Sequence, residues 1–256
     1  MMSHPDRVGV STHSPVCGYP RRMSQNPLLI LFELFVMVLS ISLHDATQAW
    51  AANRLGDPTA RMLGRTTMNP AKHFSVWGMV VSPLLSIFIF PSILPYGWGQ
   101  PVPMTYRNFP KKSGEMLAVL SGPVVQFLAA IVALIVLVIL KHKAAGANDS
   151  FGIAVLLARR IPMPIDLAAL PSIFPVLLLL YLCIMTNLFL CIFNMLPLPF
   201  LDGGRILIHF LPHDAARAFE QYSLYFMIGF FLIGGFLVDI VFGPLLTIFT
   251  VLLVKL

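Results

Sequence analysis

The sequence is poor in charge. Of its 256 residues, 11% are Asp, Glu, Lys or Arg and 57% are hydrophobic, whereas soluble domains carry about a quarter of charged residues. That balance excludes a water-soluble globule and points to an integral membrane protein. Cysteine is scarce as well. Cys17, Cys183 and Cys191 are too few and too scattered for a disulfide framework or a Cys-type zinc cluster, and the last two fall in an apolar run, where cysteine behaves as a small hydrophobe. Long polar stretches are missing too, none exceeding about 30 residues, which is short of the usual minimum for a domain. Any chemistry is therefore expected within the membrane or at its surface. The net charge of +6 is spread over the loops with no interleaved aromatic and basic strip, so no nucleic-acid partner is expected and the bilayer surface is.

Apolar sequence is what the chain has in abundance. Runs at about 28–52, 74–96, 116–140, 172–196 and 222–254 each approach the roughly 20 residues that cross a bilayer as a helix. They predict an all-α, multi-pass membrane domain over residues 27–256, with five to six hydrophobic segments. Residues 1–26, rich in Ser, His, Pro and Arg and without apolar periodicity, read as a flexible tail. The stretch from Arg21 to Ala51 has the outline of a secretory signal, but Glu33 in its apolar part and the later spans favour a retained helix. Pro83, Pro91 and Pro95 make 74–96 the candidate for a re-entrant or strongly bent segment, since proline removes backbone donors. Phe151–Arg160 is short, amphipathic and ends in two arginines, which suits a helix lying in the interface. In the last run, Asp239 and Gly243-Pro244 mark a break between one span and a surface helix. Basic residues flank both ends of the first span, so charge does not choose its orientation.

Ionisable and amide side chains inside spans are costly, and each is either functional or a structural hydrogen-bonding group. Glu33, Gln126, Asn187, Asn194, Asp239 and the stretch Ser42–Trp50, SLHDATQAW, qualify. A lone Asn187 reads as a helix–helix hydrogen bond, and Glu33 and Asp239 stand equally well as interface residues. The His44 stretch differs in its spacing. Positions one turn apart share a helix face, so His44 and Gln48 could address one ion, and Asp45 sits where a zinc hydrolase carries the carboxylate that activates water. A polar helix end is the competing reading. A second feature lies in FNMLPLPFLDGGRIL (Phe193–Leu207), where Asn194 ends a span, Pro197 and Pro199 break it, and Asp202 precedes two glycines. Such a break inside a membrane survives where protein or a wet cavity satisfies it, and Asp202 reads either as a helix cap or as a ligand.

Taken together with NPAKH, YGWGQPVPMTYRNF and LSGPVVQFLAA, these segments resemble the site-2 protease family of intramembrane zinc metalloproteases, in its compact branch without a PDZ or CBS domain. The likeness runs from about residue 27 to 210. It implies a zinc held by two helix histidines and an aspartate, a glutamate acting on water, and a bacterial or archaeal cytoplasmic membrane as the setting. On this chain, His44 matches the first ligand, Asp202 the third, and Asn194 the asparagine before the Pro-x-Pro bend. Asp45 stands at the base position, Gln48 at the second histidine and Gln126 at the helix asparagine after the Gly-Pro turn.

Three substitutions around one reaction centre lead to the expectation of a degenerate metal site. A neutral amide is a poor zinc donor, so zinc binding is expected to be weak or absent. Asp45 is one methylene shorter than glutamate, and a misplacement of about 1 Å can cost on the order of a hundredfold in rate. His73 and His209 are candidate substitute ligands, against the reading that both are structural. The expected function is a pseudoprotease that binds transmembrane segments of client proteins. A weakened zinc endopeptidase and a transport component with Glu33, Asp45, Asp202 and Asp239 along a polar path are the rivals.

Overall fold

A computed structural model describes residues 27–89, 94–111, 113–161 and 169–255, and all their side chains except those of 89, 231, 233–235, 237–239, 241, 245 and 246. The proposed tail and the Asp239 side chain lie outside the described residues. The chain folds as α1 (Pro27–Arg54), α2 (Thr59–Met62), α3 (Ser82–Ile89), α4 (Gly114–Lys143), α5 (Ala147–Ala158), α6 (Phe174–Asn194), α7 (Asp202–Ile208), α8 (His213–Gln221) and α9 (Ser223–Lys255). Among the described residues there is no strand.

Three helices, α1, α4 and α6, are long and apolar enough to cross a membrane. At 1.5 Å per residue the shortest spans about 32 Å, just over the roughly 30 Å hydrocarbon core. Leu29 on α1 packs with Phe174 and Leu178 at the start of α6, and Met37 and Ile41 pack with Leu190 and Phe193 near its end. These two helices therefore run in the same direction. α4 runs the other way, since its early residue Val119 lies against Gln48 and its Gln126 against Asn194.

The described parts of the run 74–96 lie side by side, and Pro91 lies outside the described residues. The run enters through a π-turn at Trp77–Val81 and α3, and the extended stretch from residue 94 onward returns beside it. Gln100 N–H donates to the His73 carbonyl (2.9 Å), Trp98 N–H to Gly78 (3.3 Å) and the Ser82 hydroxyl to Tyr96 (3.0 Å). This is the re-entrant hairpin that the three prolines announce. With α1 and α6 parallel, the His44 end of α1 and the Asp202 bend lie at the same end of the bundle.

Two elements differ from their sequence reading. α5 begins at Ala147 instead of Phe151, and its Ala147, Ser150, Phe151, Ala154 and Val155 form a buried face packed on α4 and α6. At twelve residues it is too short to cross, and its apolar stripe is covered by protein rather than left at the lipid surface. α9 continues unbroken through Pro244. Buried polar groups hold the far end of the bundle, where Arg160 Nη2 on the turn after α5 meets Glu33 Oε2 on α1 at 3.0 Å, with side chains 8% and 1% exposed. Glu33 is thus paired within the protein. Removing one member of a buried pair leaves an uncompensated charge costing about 3–5 kcal/mol. Arg160→Gln is accordingly expected to lower the melting temperature of the detergent-solubilised protein by several degrees, while Arg159→Gln, which loses one exposed bond to Thr247, leaves it nearly unchanged.

Candidate functional site

The helical period puts His44 and Gln48 on the face of α1 that looks at α4 and α7. On α4, Gly122 leaves no room beside the imidazole: a Cβ built there would stand 2.3 Å from His44 Nε2. Next along α4 is Pro123, which has no N–H and so cannot donate to the carbonyl of Val119 four residues earlier. Gln48 fills that gap, donating from Nε2 to Val119 O at 2.8 Å and to Asp202 Oδ2 at 2.8 Å. Both partners are acceptors, which fixes the amide with its NH2 toward them.

Asp202 opens α7. Gly203 and Gly204 matter for close packing here, because a Cβ on either would fall about 2 Å from the carbonyl oxygens of Met195 and Leu198 and lift the helix off the bend. The Asp202 carboxylate thereby reaches α1, with Oδ2 2.8 Å from His44 Nε2. The other ring nitrogen, Nδ1, faces Asp45 Oδ1 at 3.0 Å. His44, Gln48 and Asp202 thus converge on one place, joined by Asp45 and Asn194 around a cavity of about 110 Å³ walled by Ile41, Trp98, Val102 and Phe200. Gln126 is fully buried behind it, where its Oε1 is 3.5 Å from Asn194 Nδ2.

Asp45 is directed away from Asp202. Its Oδ2 lies 3.5 Å from His73 Nδ1 and 3.8 Å from Arg65 Nη2, both side chains buried. Arg65 in turn donates to the side-chain and backbone oxygens of Gln100, at 3.0 and 2.5 Å. Burial lowers the Arg65 pKa and the Asp45 carboxylate opposes that shift. His73 Nε2 meets the Thr67 carbonyl at 2.7 Å, so His73 belongs to this cluster and not to the His44 pocket. His209 is also placed elsewhere, 3.6 Å from Glu115. Asn187 donates back to Cys183 within its own helix instead of bridging helices, as the sequence had led one to expect.

Sequence reasoning missed Arg65, Gln100 and Asp57. Asp57 is fully buried just beyond α1 and accepts from Thr59, the Thr105 N–H and Asn108, tying the returning arm of the hairpin to the end of α1. Burial pushes its carboxyl up, but those hydrogen bonds outweigh it and hold the pKa below the usual carboxylate value. A lowered folded pKa contributes stability above the unfolded value of about 3.9 and loses it as pH falls through the folded one. The melting-temperature gap between wild type and Asp57→Asn should be constant from pH 5 to 7 and narrow below about pH 4.

A family model described as Peptidase family M50 matches residues 32–234, most of the chain, and the chain belongs to this family, the site-2 proteases. The protein named "Putative zinc metalloprotease YwhC" of Bacillus subtilis (strain 168) is 28% identical over 214 residues, covering 83% of this chain and 81% of that protein. No solved structure matches the chain.

The family and that name imply zinc, and the donors here can be tested against it. Gln48 Nε2 donates to Asp202 Oδ2 at 2.8 Å, a hydrogen bond, whereas His44 Nε2 stands 2.8 Å from the same oxygen with no hydrogen-bond partner of its own. Gln48 offers N–H groups where the metal requires a lone pair. Among the described residues no group of three or more His, Cys, Asp or Glu stands ready to hold an ion. The donor set does not fit zinc.

Proposed function

We propose that this family member is a metal-independent pseudoprotease that uses the cavity between α1, α7 and the re-entrant hairpin to hold transmembrane segments of client proteins. The observation that carries the reading is the Gln48 amide. It donates to both Asp202 and the carbonyl that Pro123 leaves open, so the position that would complete a zinc site instead presents N–H groups to the Asp202 carboxylate. The cavity keeps apolar walls around a polar floor, which suits a membrane-borne chain whose backbone polar groups need partners once it leaves a regular helix.

The test uses purified protein in detergent and a fluorescent synthetic transmembrane peptide with a Gly-Ala centre. The reading expects saturable binding, monitored by the emission of Trp98 in a background with Trp50 and Trp77 changed to phenylalanine, and no cleavage. Cleavage that disappears in His44→Ala would overturn it, and so would a peptide that never binds.

A further inference from the structure

We infer that Asp45, at the position of the family's base, is a positioning residue that anchors both arms of the re-entrant hairpin and thereby sets the wall of the cavity. Its Oδ1 faces His44 Nδ1 at hydrogen-bond distance, and its Oδ2 lies at ion-pair distance from His73 Nδ1 (3.5 Å) and Arg65 Nη2 (3.8 Å) without a hydrogen bond. His73 stands at the start of the hairpin, and Arg65, in the loop after α2, reaches its returning arm through Gln100. The His73 carbonyl takes the Gln100 N–H of the returning arm. Arg65 holds Gln100 by two further bonds. One carboxylate on a spanning helix thus fixes both arms, just before the returning chain supplies Gly99, Pro101 and Val102 to the cavity.

Gly99 packs closely against this carboxylate. Its backbone lies so close that a built Cβ would come within 2.0 Å of Asp45 Oδ2 and 2.9 Å of its Cγ. A glutamate would have to drive its carboxylate into that backbone or swing it out of the cluster. The missing methylene is therefore matched to the hairpin, and Asp45 serves as an anchor of the right length instead of a base that falls short. What the wall is for rests on the client-binding reading, whereas its placement can be measured without any client.

The measurement places a reporter cysteine at Val102, which is 3% exposed, in a background with Cys17, Cys183 and Cys191 changed to alanine. The probe is a membrane-impermeant methanethiosulfonate reagent acting on detergent-solubilised protein. Asp45→Asn and His73→Gln are expected to raise the labelling rate at Val102→Cys by about tenfold or more, the size of a local opening. Asp45→Glu should raise it similarly, although a role in charge balance alone would be rescued by that substitution. A second reporter, Ala154→Cys on the fully buried face of α5, should label at the wild-type rate throughout. No rise at Val102, rescue by glutamate, or equal rises at both reporters would each overturn the inference. If the labelling follows expectation while the transmembrane peptide does not bind, the client-binding reading alone falls.

Discussion

Gln48→His should acquire close to one zinc per chain when purified in micromolar zinc. The substitution supplies the third protein donor beside His44 and Asp202, and three donors plus one open position make the usual catalytic zinc set. Two opposing effects decide the stability outcome. Without metal the variant loses the amide that satisfies Asp202 and the Val119 carbonyl, and a buried group left unpaired costs about 1–3 kcal/mol. With metal at a hundred times its Kd, binding returns about 2.7 kcal/mol. The apo variant should melt below wild type and recover on adding zinc, and chelator should reverse the gain. Wild type should be indifferent to both. A variant that takes up no zinc would mean that the three side chains are not held where they are described.

Gly122→Ala should destabilise the protein strongly through the His44 ring. The new Cβ would meet three atoms of the His44 ring at 2.3–2.7 Å, against ordinary contacts of about 3.5–4.0 Å. The ring has to move by about 1 Å, and α1 and α4 are packed too tightly around it to yield. Replacing glycine by alanine within a helix favours the variant by about 1 kcal/mol. Overpacking costs about 1–3 kcal/mol, and displacing His44 from Asp45 adds the loss of one charge-assisted hydrogen bond, worth about 1.5–3 kcal/mol. The balance is a net loss of several kcal/mol, to be read as a lower melting temperature and weaker peptide binding. Gly229→Ala, where a Cβ meets nothing, is the matched control and should be neutral or slightly stabilising.

Much of the architecture is legible in the sequence because the bilayer imposes it. The long apolar runs became α1, α4 and α6 within a few residues of the expected bounds, and three prolines marked the segment that turns back. The convergence of His44, Gln48 and Asp202 was also foreseeable, through the likeness of two segments 154 positions apart from Gln48 to Asp202. What could not be read depends on close tertiary approach. The direction of the Asp45 carboxylate is set by Gly99, His73 and Arg65, which no periodicity brings together. The covering of α5 reflects a helix apolar enough to satisfy lipid or protein, where only packing chooses. One clue was present and unused: Pro123, four residues after Val119, announces an open carbonyl, and an amide facing it is its natural partner.

The proposed site takes no metal, with the Gln48 amide donating to Asp202 in its place. The zinc-to-protein ratio of the wild-type protein, purified from zinc-supplemented cells without chelator and measured by plasma mass spectrometry, tests this claim directly. A pocket offering two conventional donors is expected to retain less than about 0.1 zinc per chain. One zinc per chain, lost on changing either His44 or Asp202 to alanine, would contradict the claim.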